Sequence, residues 1–237
     1  MSKRHRGKTC VYCAGPGISD SADHVFSREF LPVEHRGNMP KVPACTPCNR
    51  AKSDLEHYLS AVLPFGGRHA GSSEMLEAEV PRRLAKNPRL HRELATGQQT
   101  IWVEQNGVIL PTLAIPFDGT KLDALFAMLA RGLAFHHFGV VIPSTHFIGA
   151  GTLARVGEQA MEGLLALNAK VRVAVSVGDG LLDYEGAQGV GDPALTIWRF
   201  RLYGGVMLAD GDAPGERLTT IWASSSPQKE QSLFGLE

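Results

Sequence analysis

Two Cys-x-x-Cys pairs, Cys10/Cys13 and Cys45/Cys48, account for all four cysteines of this 237-residue chain. Such pairs can close disulfides, work as a redox motif, or hold a tetrahedral metal. The opening MSKRHRGKT runs into cysteines and glycine with no apolar signal core, so a cytoplasmic location is expected and structural disulfides are disfavoured. One pair alone would suit a thioredoxin-like site. Two pairs bracketing a polar loop suit a structural Zn²⁺ held by four thiolates. Such an ion fastens both ends of a segment too poor in apolar residues to build a core of its own.

The net charge of zero hides an asymmetry. Residues 1–52 carry 9 basic and 4 acidic side chains, whereas residues 101–237 carry 9 basic and 14 acidic. A basic segment joined to an acidic one points to an anionic partner for the first part only. With 43% apolar and 20% charged residues the composition is that of an ordinary globular protein, and no apolar run reaches the length of a membrane span.

The pattern reads as an α+β protein: a small zinc-bound unit over residues 1–63, a linker and helical connector over 64–97, a mixed α+β domain over 98–223, and a disordered tail over 224–237. HVFSREFL reads as extended, NRAKSDLEHYLSAVL as a helix with Leu55, Tyr58, Leu59 and Val62 on one face, and PFGGRHAGSS as linker. Asn106-Gly107 between two apolar runs signals a hairpin. Helices are expected over 119–138 and near 152–168. Val171, Val173, Val175 and Val177 alternate as a strand, a hairpin is expected to turn at Gly204-Gly205, and RLTTIWAS reads as the last strand.

Between the cysteine pairs sits Asp23-His24. Aspartate supplies a hard oxygen ligand, and histidine takes a proton near neutral pH. On an extended segment the two point to opposite faces. Asn49 follows Cys48 at the entry to a helix, where its amide oxygen adds a ligand without adding charge, or caps the helix.

The layout resembles the HNH endonuclease family, in a zinc-clamped variant of the ββα-metal type. The matching stretches are the first Cys-x-x-Cys, DHVFS at 23–27, GNM at 37–39 and CTPCNRAKSDLE at 45–56, about 50 residues in all. NRAKSD also resembles the stretch closing the HNH domain of RNA-guided DNA nucleases. The resemblance implies Asp23 and Asn49 as ligands of a catalytic Mg²⁺ or Mn²⁺, His24 as general base, and Asn38 as the residue that orients His24 and its loop. Two features depart from the pattern: many members carry His where this chain has Asn49, and the segment after His24 reads SREFLPVEHRGN.

The implied activity is metal-dependent hydrolysis of phosphodiester bonds in DNA (or RNA), leaving a 5′-phosphate and a 3′-hydroxyl. Arg28, Arg50, Lys52 and the Lys3–Lys8 cluster are the candidate phosphate contacts. One alternative is a non-catalytic zinc-knuckle nucleic-acid-binding module, and another a zinc-stabilised protein–protein adaptor. His136-His137 is read as packing or hydrogen bonding. The tail sequence EQSLF faintly resembles peptides that dock on bacterial sliding clamps.

Overall fold

The computed structural model describes residues 3–105, 107–168, 171–208, 220–232 and 234. Ser21–His24 (β1) and Lys41–Ala44 (β2) form a short antiparallel pair, with Asp23 opposite Val42 and His24 opposite Lys41. Thr46–Val62 (α1) follows at once. Pro47 stands in its first turn, where a missing N–H costs nothing. The expected apolar stripe is inward: Tyr58, Leu59 and Val62 are buried and Leu55 packs against the core.

The extended stretch expected after His24 is not continued. Ser27 accepts a hydrogen bond from the Glu29 amide at 3.2 Å and starts a 3-10 turn over Arg28–Phe30. A side-chain cap of this kind competes with the strand ladder. Its effect is to turn Phe26, Phe30 and Leu31 into the core.

Residues 64–97 are not a free linker. Helical turns run through Ala70–Glu74 (α2), Met75–Glu79 and Val80–Lys86 (α3), then Pro88–Gly97 (α4). The amides of Arg68 and His69 both donate to the Tyr203 carbonyl, at 2.7 and 2.8 Å. Gly67 is bridged to Val206, and a Cβ there would lie 2.5 Å from Ser72 and 2.8 Å from Tyr203. Only glycine lets the two backbones approach so closely.

Gln99–Gln105 (β3) and Val108–Ala114 (β4) make the expected two-residue hairpin, with Gly107 at φ +77°, as a sheet of their own. Gly119–Phe138 (α5) begins at Asp118, which accepts from the Thr120 amide, and ends at Gly139 in the left-handed region. Phe147–Gly151 (β5), Arg155–Leu167 (α6), Arg172–Val177 (β6), Leu182–Gln188 (β7), Thr196–Leu202 (β8) and Ile221–Ser226 (β9) complete the described elements. The five strands form one antiparallel sheet in the order β5-β9-β8-β7-β6. α5 packs on one face, onto which Val173, Val175 and Val177 point, and α6 covers part of the other through Met161 and Leu165 against Ala187, Ile197 and Trp222. Past Gly204-Gly205 the chain does not form the expected hairpin, because Val206 crosses to Gly67 instead.

The fold is α+β, but the boundaries expected at 63 and 98 do not separate two cores. The Phe26 ring lies 5.3 Å from Tyr184 and 6.3 Å from Phe200. Tyr203 Oη donates to the Phe30 carbonyl at 2.9 Å, and Arg83 donates to the carbonyls of Ser60 and Glu29 at 2.7 and 2.6 Å. A two-stranded ribbon and one helix have too little surface to cover these side chains, so they are buried against the five-stranded sheet.

The tail differs too. Residues 224–226 belong to β9, Lys229–Gln231 form a 3-10 turn, Ser232 is buried, and Phe234 packs beside the α6 cluster. Of the expected clamp-docking peptide, Phe234 is thus held against the protein itself, while residue 233 and the last three lie outside the described residues. Among the described residues no helix is long and apolar enough to cross a membrane.

Candidate functional site

The four cysteines meet at one point. The sulfurs of Cys10, Cys13, Cys45 and Cys48 all lie within 4.8 Å of one another, and Cys13 Sγ is 4.0 Å from Cys45 Sγ. A tetrahedron of thiolates about 2.3 Å from zinc has edges of roughly 3.8 Å, so the cluster is close to the size the ion requires. Each knuckle is built by its turn. The Ala14 amide donates to the Cys10 carbonyl with Ala14 in the left-handed region, and the Cys45 amide donates to Cys10 Sγ at 3.4 Å. Burial pushes the thiols of Cys45 and Cys48 up, and Cys48 is raised further by its sulfur neighbours. Four crowded sulfurs of this kind are paired with a cation or stay protonated.

α1 then lies along the inner face of β1. Asn49 Nδ2 donates to Ser21 Oγ at 3.2 Å, and one turn further Lys52 reaches Asp23. Asp23 Oδ2 accepts from Tyr12 Oη at 2.5 Å and stands 3.1 Å from Lys52 Nζ. Lys52 also donates to Glu56 Oε1 at 2.5 Å and to the His24 carbonyl at 2.8 Å. Burial pushes Glu56 up to about 7, with Lys52 acting in the opposite sense.

This corrects one expectation. Lys52 is fully buried and engaged on every side, so it is no contact for an outside phosphate. Arg28 and Arg50 are exposed, as such contacts must be. Asn49 lies against Ser21, one strand repeat from Asp23 and not upon it. Among the described residues Asp23 Oδ1 and Asn49 Oδ1 accept no hydrogen bond from the protein. One carboxylate and one amide oxygen are the donors a hard divalent ion takes when water and phosphate fill its other positions.

His24 faces the other way, as strand alternation requires. It shares a face with Lys41, since directly opposed residues in an antiparallel pair point together. Its Nε2 is buried and has no hydrogen-bond partner among the described residues. Burial, then Lys41 and Arg28, hold its pKa below the usual histidine value. The neutral ring therefore persists below pH 6.5, as a proton acceptor requires.

Beside that face opens a cleft of about 630 Å³ lined by Arg4, His5, Lys8, Asn38, Met39, Lys41, Phe135 and His136. No carboxylate is among these. The basic arm is pinned to the body, because the Gly7 amide donates to the Ser19 carbonyl at 2.7 Å and the Ser19 amide to the Lys8 carbonyl at 3.0 Å. The proton affinity of His5 is lowered by burial and then by Arg4, Lys8 and Lys41, which is the signature of a positive potential. Asn38 is exposed in this cleft, with φ at +51°. No hydrogen bond from its side chain to His24 is formed.

No protein-family model, curated protein or solved structure matches this chain. The site therefore rests on its own geometry.

Two cleft residues are not marked as functional by the sequence: Lys41, and His136, which is read there as packing or hydrogen bonding. Lys41 was detectable in principle as the residue two-stranded pairing places opposite His24. His136 comes from α5, over a hundred residues away, and nothing local marks it. Its neighbour His137 has the packing role expected, with Nε2 3.1 Å from Tyr184 Oη and a pKa lowered by burial, and then by His136, to about 4.

Proposed function

We propose that the protein is a metal-dependent endonuclease of the ββα-metal (HNH) type that hydrolyses phosphodiester bonds in DNA. The observation that carries this reading is the setting of His24: an imidazole nitrogen with no protein partner, in a neutral ring, on the face that adjoins a cleft of cations. A structural histidine at this depth is normally hydrogen-bonded, and leaving one buried nitrogen unpaired costs about 1–3 kcal/mol. The strand–strand–helix order, with the cysteine cluster joining residue 10 to the helix start, supports the same reading.

In this mechanism His24 takes the proton from the attacking water after its ring turns a nitrogen into the cleft, because Nε2 is buried in this structure. Arg4, Lys8 and Lys41 hold the flanking phosphates and bind with little regard to sequence. Asp23 and Asn49, on the α1 side of β1 and opposite the face of His24, are the residues that would hold a Mg²⁺ or Mn²⁺, whose chemistry when bound would be to supply positive charge to a phosphate. Lys52, donating to the His24 carbonyl, fixes the strand end from which the base projects. Asn38 borders the cleft and contacts the incoming backbone. A zinc held by Cys10, Cys13, Cys45 and Cys48 would be structural, fastening the segment and supplying no chemistry to the reaction.

A second reading has a specific observation in its favour. The charge of Asp23 is already balanced by Lys52, as it would be in a zinc-knuckle module that binds nucleic acid without cutting it. Plasmid cleavage with Mg²⁺ or Mn²⁺ separates the two. The nuclease nicks DNA, His24→Ala lowers nicking roughly 10²-fold or more while retaining DNA binding, and Asp23→Ala or Asn49→Ala weakens the metal site and raises the divalent-ion concentration needed. Binding with no cleavage by the wild type under any divalent ion assigns the binding module.

A further inference from the structure

The cleft beside His24 is lined by more than a phosphate chain can use. Arg4 and Lys8 near the N-terminus and Lys41 of β2 bring its cations, whereas the last turn of α5 brings Phe135 and His136, and Met39 precedes β2. Phe135 is half-buried, packed in part against the core and in part bordering the cleft. Among the described residues it makes no ring–ring or cation–π contact, whereas Phe26, Phe126 and Phe138 each pack on another aromatic ring.

The end of α5 is a poor place for a phosphate. The carbonyl end of a helix carries partial negative charge. Burial holds the pKa of His136 below the usual histidine value, so its ring is neutral at pH 7 and brings no positive charge. An aromatic ring, a thioether and a neutral imidazole suit a nucleobase instead, the first two its face and the third its edge.

A base within a duplex offers no such face. Its neighbours cover both sides and only its edge shows in a groove. A duplex laid over the cleft therefore reaches the cations and leaves Phe135 and Met39 without a partner. An unpaired base has a free face, and a space of about 630 Å³ is the size of a small-ligand site, with room for a splayed nucleotide but not for a paired segment.

We propose that the cleft takes single-stranded DNA, with phosphates on Arg4, Lys8 and Lys41 and one unpaired base against Phe135. The inference rests on the cleft being the nucleic-acid site, and it holds whether or not the strand is then cut.

The test is fluorescence anisotropy of the full-length protein with a labelled strand of ~20 nucleotides, single or annealed to its complement, at equal salt and without added divalent ion. The wild type is expected to bind the single strand at least tenfold more tightly than the duplex. Phe135→Leu, which keeps an apolar side chain against the core, is expected to lose roughly tenfold in single-strand affinity while its salt slope stays unchanged, because no phosphate contact is removed. Phe135→Tyr is expected to retain the affinity. A wild type that binds the duplex as tightly as the single strand overturns the proposal and leaves the nuclease reading standing. Unchanged single-strand affinity in Phe135→Leu also overturns it, as does displacement of the strand by an equimolar amount of thymidine monophosphate, which assigns the cleft to a free nucleotide. A wild type that binds neither form removes the cleft as a nucleic-acid site, and this inference with it.

Discussion

Lys52 Nζ stands 3.1 Å from Asp23 Oδ2 and donates to the His24 carbonyl at 2.8 Å, while none of its side chain reaches solvent. Its position joins the helix that follows the second cysteine pair to the strand that carries the candidate base. Removing one partner of a buried ion pair strands the other, at about 3–5 kcal/mol. Lys52→Met is therefore expected to lower the unfolding free energy by about that amount in a urea titration. A variant as stable as the wild type would show that the pair contributes nothing to the fold.

The lysine at the cleft behaves differently. Lys41 is exposed and faces the space beside His24, so Lys41→Ala should leave stability within about 0.5 kcal/mol of the wild type. In the proposed function its effect belongs in DNA binding, where losing one phosphate contact is expected to reduce the slope of log K against log salt by about 0.9. Fluorescence anisotropy at several salt concentrations measures this. An unchanged slope would remove Lys41 from the interface.

In the proposed mechanism the protonation of His24 sets the pH profile of cleavage. Because burial and two cations lower its folded pKa, the ring is neutral above that value and charged below it. Cleavage should rise with pH along a limb whose midpoint lies below 6.5 and be flat above it. His24→Ala should lose roughly 10²-fold or more of the rate and the limb with it, with circular dichroism and zinc content unchanged. A midpoint well above 6.5 would assign the limb to a different group.

Zinc and the core should fail together. Purified protein is expected to hold about one zinc per chain, and Cys45→Ser to lose it. Phe26 packs against Tyr184 and Phe200, so unfolding residues 1–63 exposes the face of the five-stranded sheet. Chelation should therefore lower a single calorimetric transition that includes the sheet, and Phe26→Ala should lower the same transition by about 3–5 kcal/mol. Two separate transitions would restore an independent N-terminal domain.

The local features of this protein are written in its sequence. Cysteine spacing set the knuckles, helical periodicity set α1 and α5, Asn106-Gly107 set the hairpin turn, and the alternation of Val173, Val175 and Val177 set β6. Each depends on neighbours a few residues apart, where backbone geometry and side-chain period leave few choices. The opposite faces taken by Asp23 and His24 follow from the same rule. Only the tertiary structure decided which charges are buried and which meet. Lys52 and Lys41 look alike as exposed bases in the sequence, yet packing sends one between Asp23 and Glu56 and leaves the other beside a cleft completed by His136. It also decided that residues 64–69 and Phe234 are packed segments and that one core spans both halves. These outcomes depend on long-range contacts through which Phe26, Tyr58 and Tyr203 find partners from 60 to over 170 residues away. No periodicity within a segment encodes the partner that will cover it.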